Sequence, residues 1–158
     1  MAGKESILVS TCLVGIHTQW NGGCSKVDAI IALVRSGRAV FLCPEQLGGL
    51  STPREPAEID EGKTAADVLA GRAKVVARTG QDVTKQFVGG AQEVLAFCQA
   101  FGIETAILKA GSPSCGSRRT YDGTFSKTTR PGRGVTAELL EQNGIKVYSE
   151  ETLSGEAL

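Results

Sequence analysis

The chain has 158 residues with 17 basic and 17 acidic side chains, so its formal net charge is zero. That balance argues against a general electrostatic grip on nucleic acid or a membrane surface, and no stable nucleic-acid partner is expected. The length suits a single domain over 1–158, and 20 glycines beside 5% aromatic residues point to tight turns or close backbone approaches to a ligand.

The opening "MAGKESILVSTCLVG" has an apolar run too short for a secretory signal, and no later run approaches a membrane span. A cytoplasmic location is therefore expected, where thiols stay reduced. An odd set of five cysteines then signals metal binding, catalysis or core packing before disulfides.

"SILVST" (6–11) is apolar and β-branched, which predicts a buried strand. A glycine-rich loop follows, and "SKVDAIIALVRSG" (25–37) predicts a helix with Ser25 as N-cap and Gly37 as its stop. "RAVFLC" (38–43) is the next strand, closed by Pro44. "AADVLAG" (65–71) predicts a short helix and "AKVVART" (73–79) a short strand in a hairpin. "DVTKQFVGGAQEVLAFCQAFG" (82–102) predicts a long helix weakened at Gly89 and Gly90. "TAILKA" (105–110), "TAELLEQNG" (136–144) and "IKVYS" (145–149) complete a strand, a helix and a strand. Wholly apolar strands alternating with amphipathic helices predict an α/β fold: one doubly wound, Rossmann-like domain with a mostly parallel sheet.

In such a sheet, ligands bind beyond the carboxyl ends of the strands. Cys12 follows the first strand, Cys43 ends the second and Cys115 lies just past the third. Two readings remain open at this point. The three are small core residues at strand ends, or they converge as thiolate ligands of a soft metal centre, zinc with an open position or an iron–sulfur cluster. Cys98 sits on the apolar stripe of the long helix and is expected in the core. Cys24, just before a helix, is a fourth ligand, a sulfur acceptor or a plain loop residue. No arginine stands six residues after Cys12 or Cys115, which excludes a cysteine-phosphatase loop. A dinucleotide GxGxxG and closely spaced cysteine triplets are also missing.

"VSTCLVG" (9–15), "CPEQLGGLSTPREPAEI" (43–59), "GSPSCGS" (111–117), "YDGTF" (121–125) and "GVTAELLEQNGIKVYSEE" (134–151) together resemble a bacterial family first catalogued as a domain of unknown function. Its characterised members are thiouracil desulfidases. The resemblance runs over nearly the whole chain. It implies a [4Fe–4S] cluster held by three cysteines, here Cys12, Cys43 and Cys115, with one iron open to accept sulfur from a thiolated pyrimidine. The expected reaction converts 2-thiouracil and water to uracil and hydrosulfide without net electron transfer. After "LVG" many relatives carry an aromatic-Asp-Gly turn, whereas this chain has "TQWNGGCSK".

Water attack requires a base, and Glu45, held two residues past Cys43, is the candidate; its alternative is to cap the loop. Ser112 is the second catalytic candidate, on the loop carrying Cys115; its alternative is to serve the turn. Ser114, Tyr121 and Asp122 are candidate substrate contacts, and Trp20 a second aromatic for stacking. The basic stretch Arg118, Arg119, Lys127, Arg130 and Arg133 is either a solvated loop or a cover that meets a nucleotide phosphate. The competing functions are a cysteine-persulfide sulfurtransferase and a non-catalytic metal-binding module.

Overall fold

The computed structural model describes residues 5–153. Its centre is a four-stranded sheet ordered β2-β1-β5-β8. The strands are β1 (Ile7–Ser10), β2 (Ala39–Leu42), β5 (Thr105–Leu108) and β8 (Lys146–Ser149). All three pairings are parallel, with Leu8 opposite Val40 and Ala106, and Ala106 opposite Val147.

Both faces of the sheet are covered at its centre, which is why β1 and β5 carry no polar alternation, whereas the edge strands β2 and β8 are only partly buried. Leu8, Ala106 and Leu108 pack against Val94 and Cys98 of α4 (Thr84–Phe101) and Leu140 of α5 (Val135–Gln142). Ile7, Val9 and Ile107, on the opposite face, pack against Ile30 and Leu33 of α1 (Asp28–Arg35). The chain winds outward from β1 to β2 through α1, then returns across β1 to β5 and on to β8. The winding reverses between β1 and β5, and their carboxyl ends open a crevice there.

Two short hairpins lie outside the main sheet. β3 (Ala57–Ile59) pairs antiparallel with β4 (Val75–Ala77), the two joined through α3 (Ala65–Leu69). β6 (Arg119–Tyr121) pairs antiparallel with β7 (Thr129–Pro131) inside the stretch expected to be a loop. Ile59, Val75, Val68 and Phe87 form a separate apolar cluster that fixes the first hairpin to α4. Among the described residues no helix is long and apolar enough to cross a membrane.

One local expectation is corrected. Ser25 does not cap α1, which begins at Asp28 after Val27 with no side-chain cap. Ser25 is drawn into tertiary bonds instead: its N–H donates to the Cys12 carbonyl at 3.0 Å and its hydroxyl accepts from Gln19 at 2.8 Å. The Gly89-Gly90 pair does not interrupt α4, which runs unbroken.

The two glycines have different reasons. A Cβ on Gly90 would stand 2.0 Å from the Pro44 carbonyl oxygen, because α2 (Pro44–Leu47) lies directly on α4. Gly48 faces the Gln86 carbonyl at the same 2.0 Å, so the contact is backbone on backbone from both sides. Gly89 meets nothing within 4 Å. Gly90→Ala is therefore expected to lower stability by about 3 kcal/mol through overpacking. Gly89→Ala is expected to raise it by up to about 1 kcal/mol through helix propensity. Chemical denaturation midpoints of the two variants check the pair.

Candidate active site

Each of the three strand-end cysteines is placed by backbone bonds that have little to do with its thiol. Cys12 lies in a 3-10 turn (Thr11–Val14) that leaves β1, and its carbonyl accepts from Gly15 and Ser25. Cys43 is the residue before α2, with Pro44 at the first helical position, where proline's missing N–H costs nothing.

Cys115 is held by α5. That helix has no side-chain cap, so the carbonyls of Pro113 and Ser114 take its first amides, from Val135 at 2.8 Å and Thr136 at 2.9 Å. Ser112 Oγ accepts from the Ser114 and Cys115 amides at 3.1 and 3.0 Å and closes the turn. Gly134 permits this contact, since a Cβ there would lie 2.4 Å from the Ser114 backbone.

The three thiols line one cavity of about 940 Å³ at the switch point. They feel one another: Cys115 is coupled to both Cys43 and Cys12, and Cys12 to Cys43. Burial pushes Cys12 up to about 11, with the Gln19 side chain and the Lys109 ammonium pulling against it. Burial likewise raises Cys43, against the Gln46 backbone amide, and raises Cys115, against the Ser10 hydroxyl. Ser10 Oγ donates to Cys115 Sγ at 3.5 Å and accepts from the Lys109 amide at 2.9 Å, joining the ends of β1 and β5. Thiols so desolvated become thiolates only when a cation replaces the lost water.

Among the described residues no group of three or more His, Cys, Asp or Glu side chains is set to hold a metal ion. Three soft thiol donors lining one cavity are the donor chemistry that an iron–sulfur cluster takes. None of the five cysteines is in a disulfide. Cys98 is fully buried in the core beneath α4, as its stripe predicted. Cys24 is outside the cavity lining, its Sγ 4.0 Å from His17 Nε2.

Glu45 and Ser112 line the same cavity as the cysteines, as do Tyr121 and Trp20. Ser114 and Asp122 are not brought to it. Ser114 is 1% exposed, its hydroxyl bonded to Thr136 Oγ1 at 2.8 Å, and it secures the loop to α5. The Asp122 carboxylate accepts from the Thr124 hydroxyl and amide, bonds that hold it below the usual carboxylate range.

The basic stretch divides. Arg119 pairs with Glu151 at 2.8 Å, Arg133 with Glu138 at 3.1 Å, and Arg130 donates to the Lys63 carbonyl. Lys127 alone of these reaches the cavity, at the tip of the β6–β7 hairpin beside Phe125. Phe125 and Lys127 both have positive φ, 58° and 62°, strained for side-chain-bearing residues. The buried Glu58 carboxylate holds the tip down by accepting from the Gly123 and Phe125 amides at 2.9 and 3.2 Å. Glu58→Ala is expected to speed amide exchange over residues 122–128 by about tenfold or more, the scale of lost charge-assisted bonds. Hydrogen exchange of the tip amides measures it.

Arg54 was not singled out from the sequence, although "STPREPAEI" places an arginine between prolines next to the second cysteine loop. Its side chain is 7% exposed, and the guanidinium pairs with Glu45. Gln19, Ser10 and Lys109 were missed as well, because each is an ordinary polar residue until the strand ends come together.

Fold and site together define a doubly wound α/β protein with a cysteine-lined crevice at its topological switch point. The chain belongs to the 2-thiouracil desulfurase family, whose model matches residues 7–152. It is 50% identical over 148 residues to YbbK of Bacillus subtilis (strain 168), an uncharacterized protein; the match covers 94% of this chain and 97% of that one. The solved structure of the [4Fe-4S]-dependent thiouracil desulfidase TudS matches with a TM-score of 0.85 at 43% identity, over 95% of this chain and 93% of that chain.

Proposed function

We propose that this protein is an iron–sulfur-dependent desulfidase that converts 2-thiouracil and water to uracil and hydrosulfide. The observation that carries the reading is the meeting of Cys12, Cys43 and Cys115, from three strand ends, with Glu45 in one cavity. Family membership and the likeness to TudS support it. Those three cysteines would hold a [4Fe–4S] cluster and leave one iron without a protein ligand. Bound there, the cluster supplies a soft Lewis acid for the thiocarbonyl sulfur.

The rest falls to the chain. Glu45 accepts a proton from the attacking water, held in place by its pairing with Arg54. The Ser112 hydroxyl accepts two backbone bonds and keeps its own proton free to donate toward the substrate. Trp20 and Tyr121 offer faces for the pyrimidine at the rim, and the hairpin tip limits water.

A persulfide carrier fits less well. Its candidates are Cys24 and Cys115, and it needs an accessible, easily ionised thiol in the site. Cys115 is buried and raised by that burial, while Cys24 lies outside the cavity lining. The test is anaerobic iron–sulfur reconstitution followed by 2-thiouracil. A brown protein that releases hydrosulfide and uracil in equal amounts is the expected result. A colourless protein, or desulfuration that survives aerobic storage with chelator, overturns the proposal.

A further inference from the structure

Arg54 lies outside every helix and strand, yet it is the side chain on which two of the cysteine loops meet. Its Nη2 donates to the Thr18 carbonyl at 2.8 Å and to Glu45 Oε2. Its Nη1 donates to the Ser51 carbonyl at 3.1 Å and to Thr52 Oγ1 at 3.0 Å. Its backbone N–H donates to the Trp20 carbonyl at 2.7 Å. Thr18 and Trp20 lie on the segment that leaves Cys12, and Glu45 on the helix that leaves Cys43.

A guanidinium carries five N–H donors in a fixed fork. Here the four terminal ones are all committed within the protein, and Nε is buried without a partner. The terminal fork is thus spent inside the protein, and only the buried Nε–H is left without a partner, although Arg54 lines the cavity. Burying such a charge is costly unless its pairing is good, so the bonds to Glu45 and Thr18 hold each other in place. A lysine ammonium carries the charge but cannot reach these separated acceptors in one plane.

We infer that Arg54 is a positioning residue, fixing the Glu45 carboxylate in the cavity and the Trp20 segment at its rim, and acting on turnover through Glu45. This rests on the desulfidase reading of the same site. A misplaced catalytic group costs on the order of a hundredfold in rate.

The experiment uses the reconstituted protein and four variants: Arg54→Ala, Arg54→Lys, Glu45→Gln and the Arg54→Ala/Glu45→Gln double. Turnover per cluster with 2-thiouracil is expected to fall at least about tenfold in both Arg54 variants, with KM changed less than about twofold. Adding Arg54→Ala to Glu45→Gln is expected to cost nothing further, because residues acting as one unit are not additive. Independent, multiplying losses would overturn the inference, as would normal turnover in Arg54→Lys, which would reduce the role to charge alone. Lowered cluster content with unchanged turnover per cluster would make Arg54 merely structural.

A second readout needs no cluster. Trp20 is the single tryptophan, so acrylamide quenching of the iron-free protein reports its segment alone. Quenching is expected to rise in Arg54→Ala and Arg54→Lys; an unchanged constant in Arg54→Lys overturns the link to the Trp20 segment even if Arg54→Ala fails to fold. Failure of the desulfidase reading shows differently, as a wild-type protein that assembles a cluster yet releases no hydrosulfide.

Discussion

Cys43→Ala is expected to leave the protein folded and nearly free of iron after anaerobic reconstitution, and Cys12→Ala and Cys115→Ala are expected to do the same. The proposed cluster has three protein ligands, so removing one leaves two thiolates and no spare donor: Cys24 and Cys98 both lie outside the cavity lining. The fold should survive, because backbone bonds set each position. Cys43 precedes Pro44 at the start of α2, and Cys115 is held through the carbonyls before it to α5. Cys98→Ala is expected to keep the iron and lose only about 1 kcal/mol of stability, the usual scale for a small core truncation. Cys24→Ala is expected to keep it as well. Iron per folded chain is the measurement. A fully loaded Cys43→Ala protein would remove the three-cysteine assignment.

Glu45→Gln is expected to assemble its cluster and lose about a hundredfold in turnover, the scale for removing a positioned proton acceptor. The substitution keeps the shape of the side chain and an oxygen for Arg54, but not its charge. The alternative role predicts something different. If Glu45 serves only to pair the buried Arg54, the variant loses stability by about 3 kcal/mol or more, as when one partner of a buried pair is removed, while turnover in folded, loaded protein stays normal. Hydrosulfide release must therefore be divided by cluster rather than by protein, so that poor assembly is not counted as poor chemistry. Near-normal turnover per cluster takes Glu45 out of the mechanism and leaves Ser112, which lines the same cavity.

The amino-acid sequence by itself determined the parts whose signal is local. "SILVST" and "TAILKA" are apolar without alternation because both faces of the central strands β1 and β5 are buried, while "RAVFLC" forms the edge strand β2, where Phe41 stays exposed. Alternating with amphipathic helices, such runs point to a parallel sheet. Once the sheet is parallel, residues just past its strands share an edge, which is how Cys12, Cys43 and Cys115 could be grouped across a hundred positions of chain. Only the tertiary structure decided what depends on distant partners. β6 and β7 are three residues each and carry no period of their own; they exist because Glu58 and Lys63, far earlier in the chain, bind their tip and edge. Ser25 gave up a helix cap for bonds to Gln19 and Cys12. Gly90, expected to weaken α4, is what lets α2 lie against it. Arg54 has no local signature, since its meaning lies in a carbonyl 36 positions away and a carboxylate 9 positions away. Period and composition record how a segment meets water, whereas a polar partner is chosen only after folding has removed the water both groups would otherwise bind.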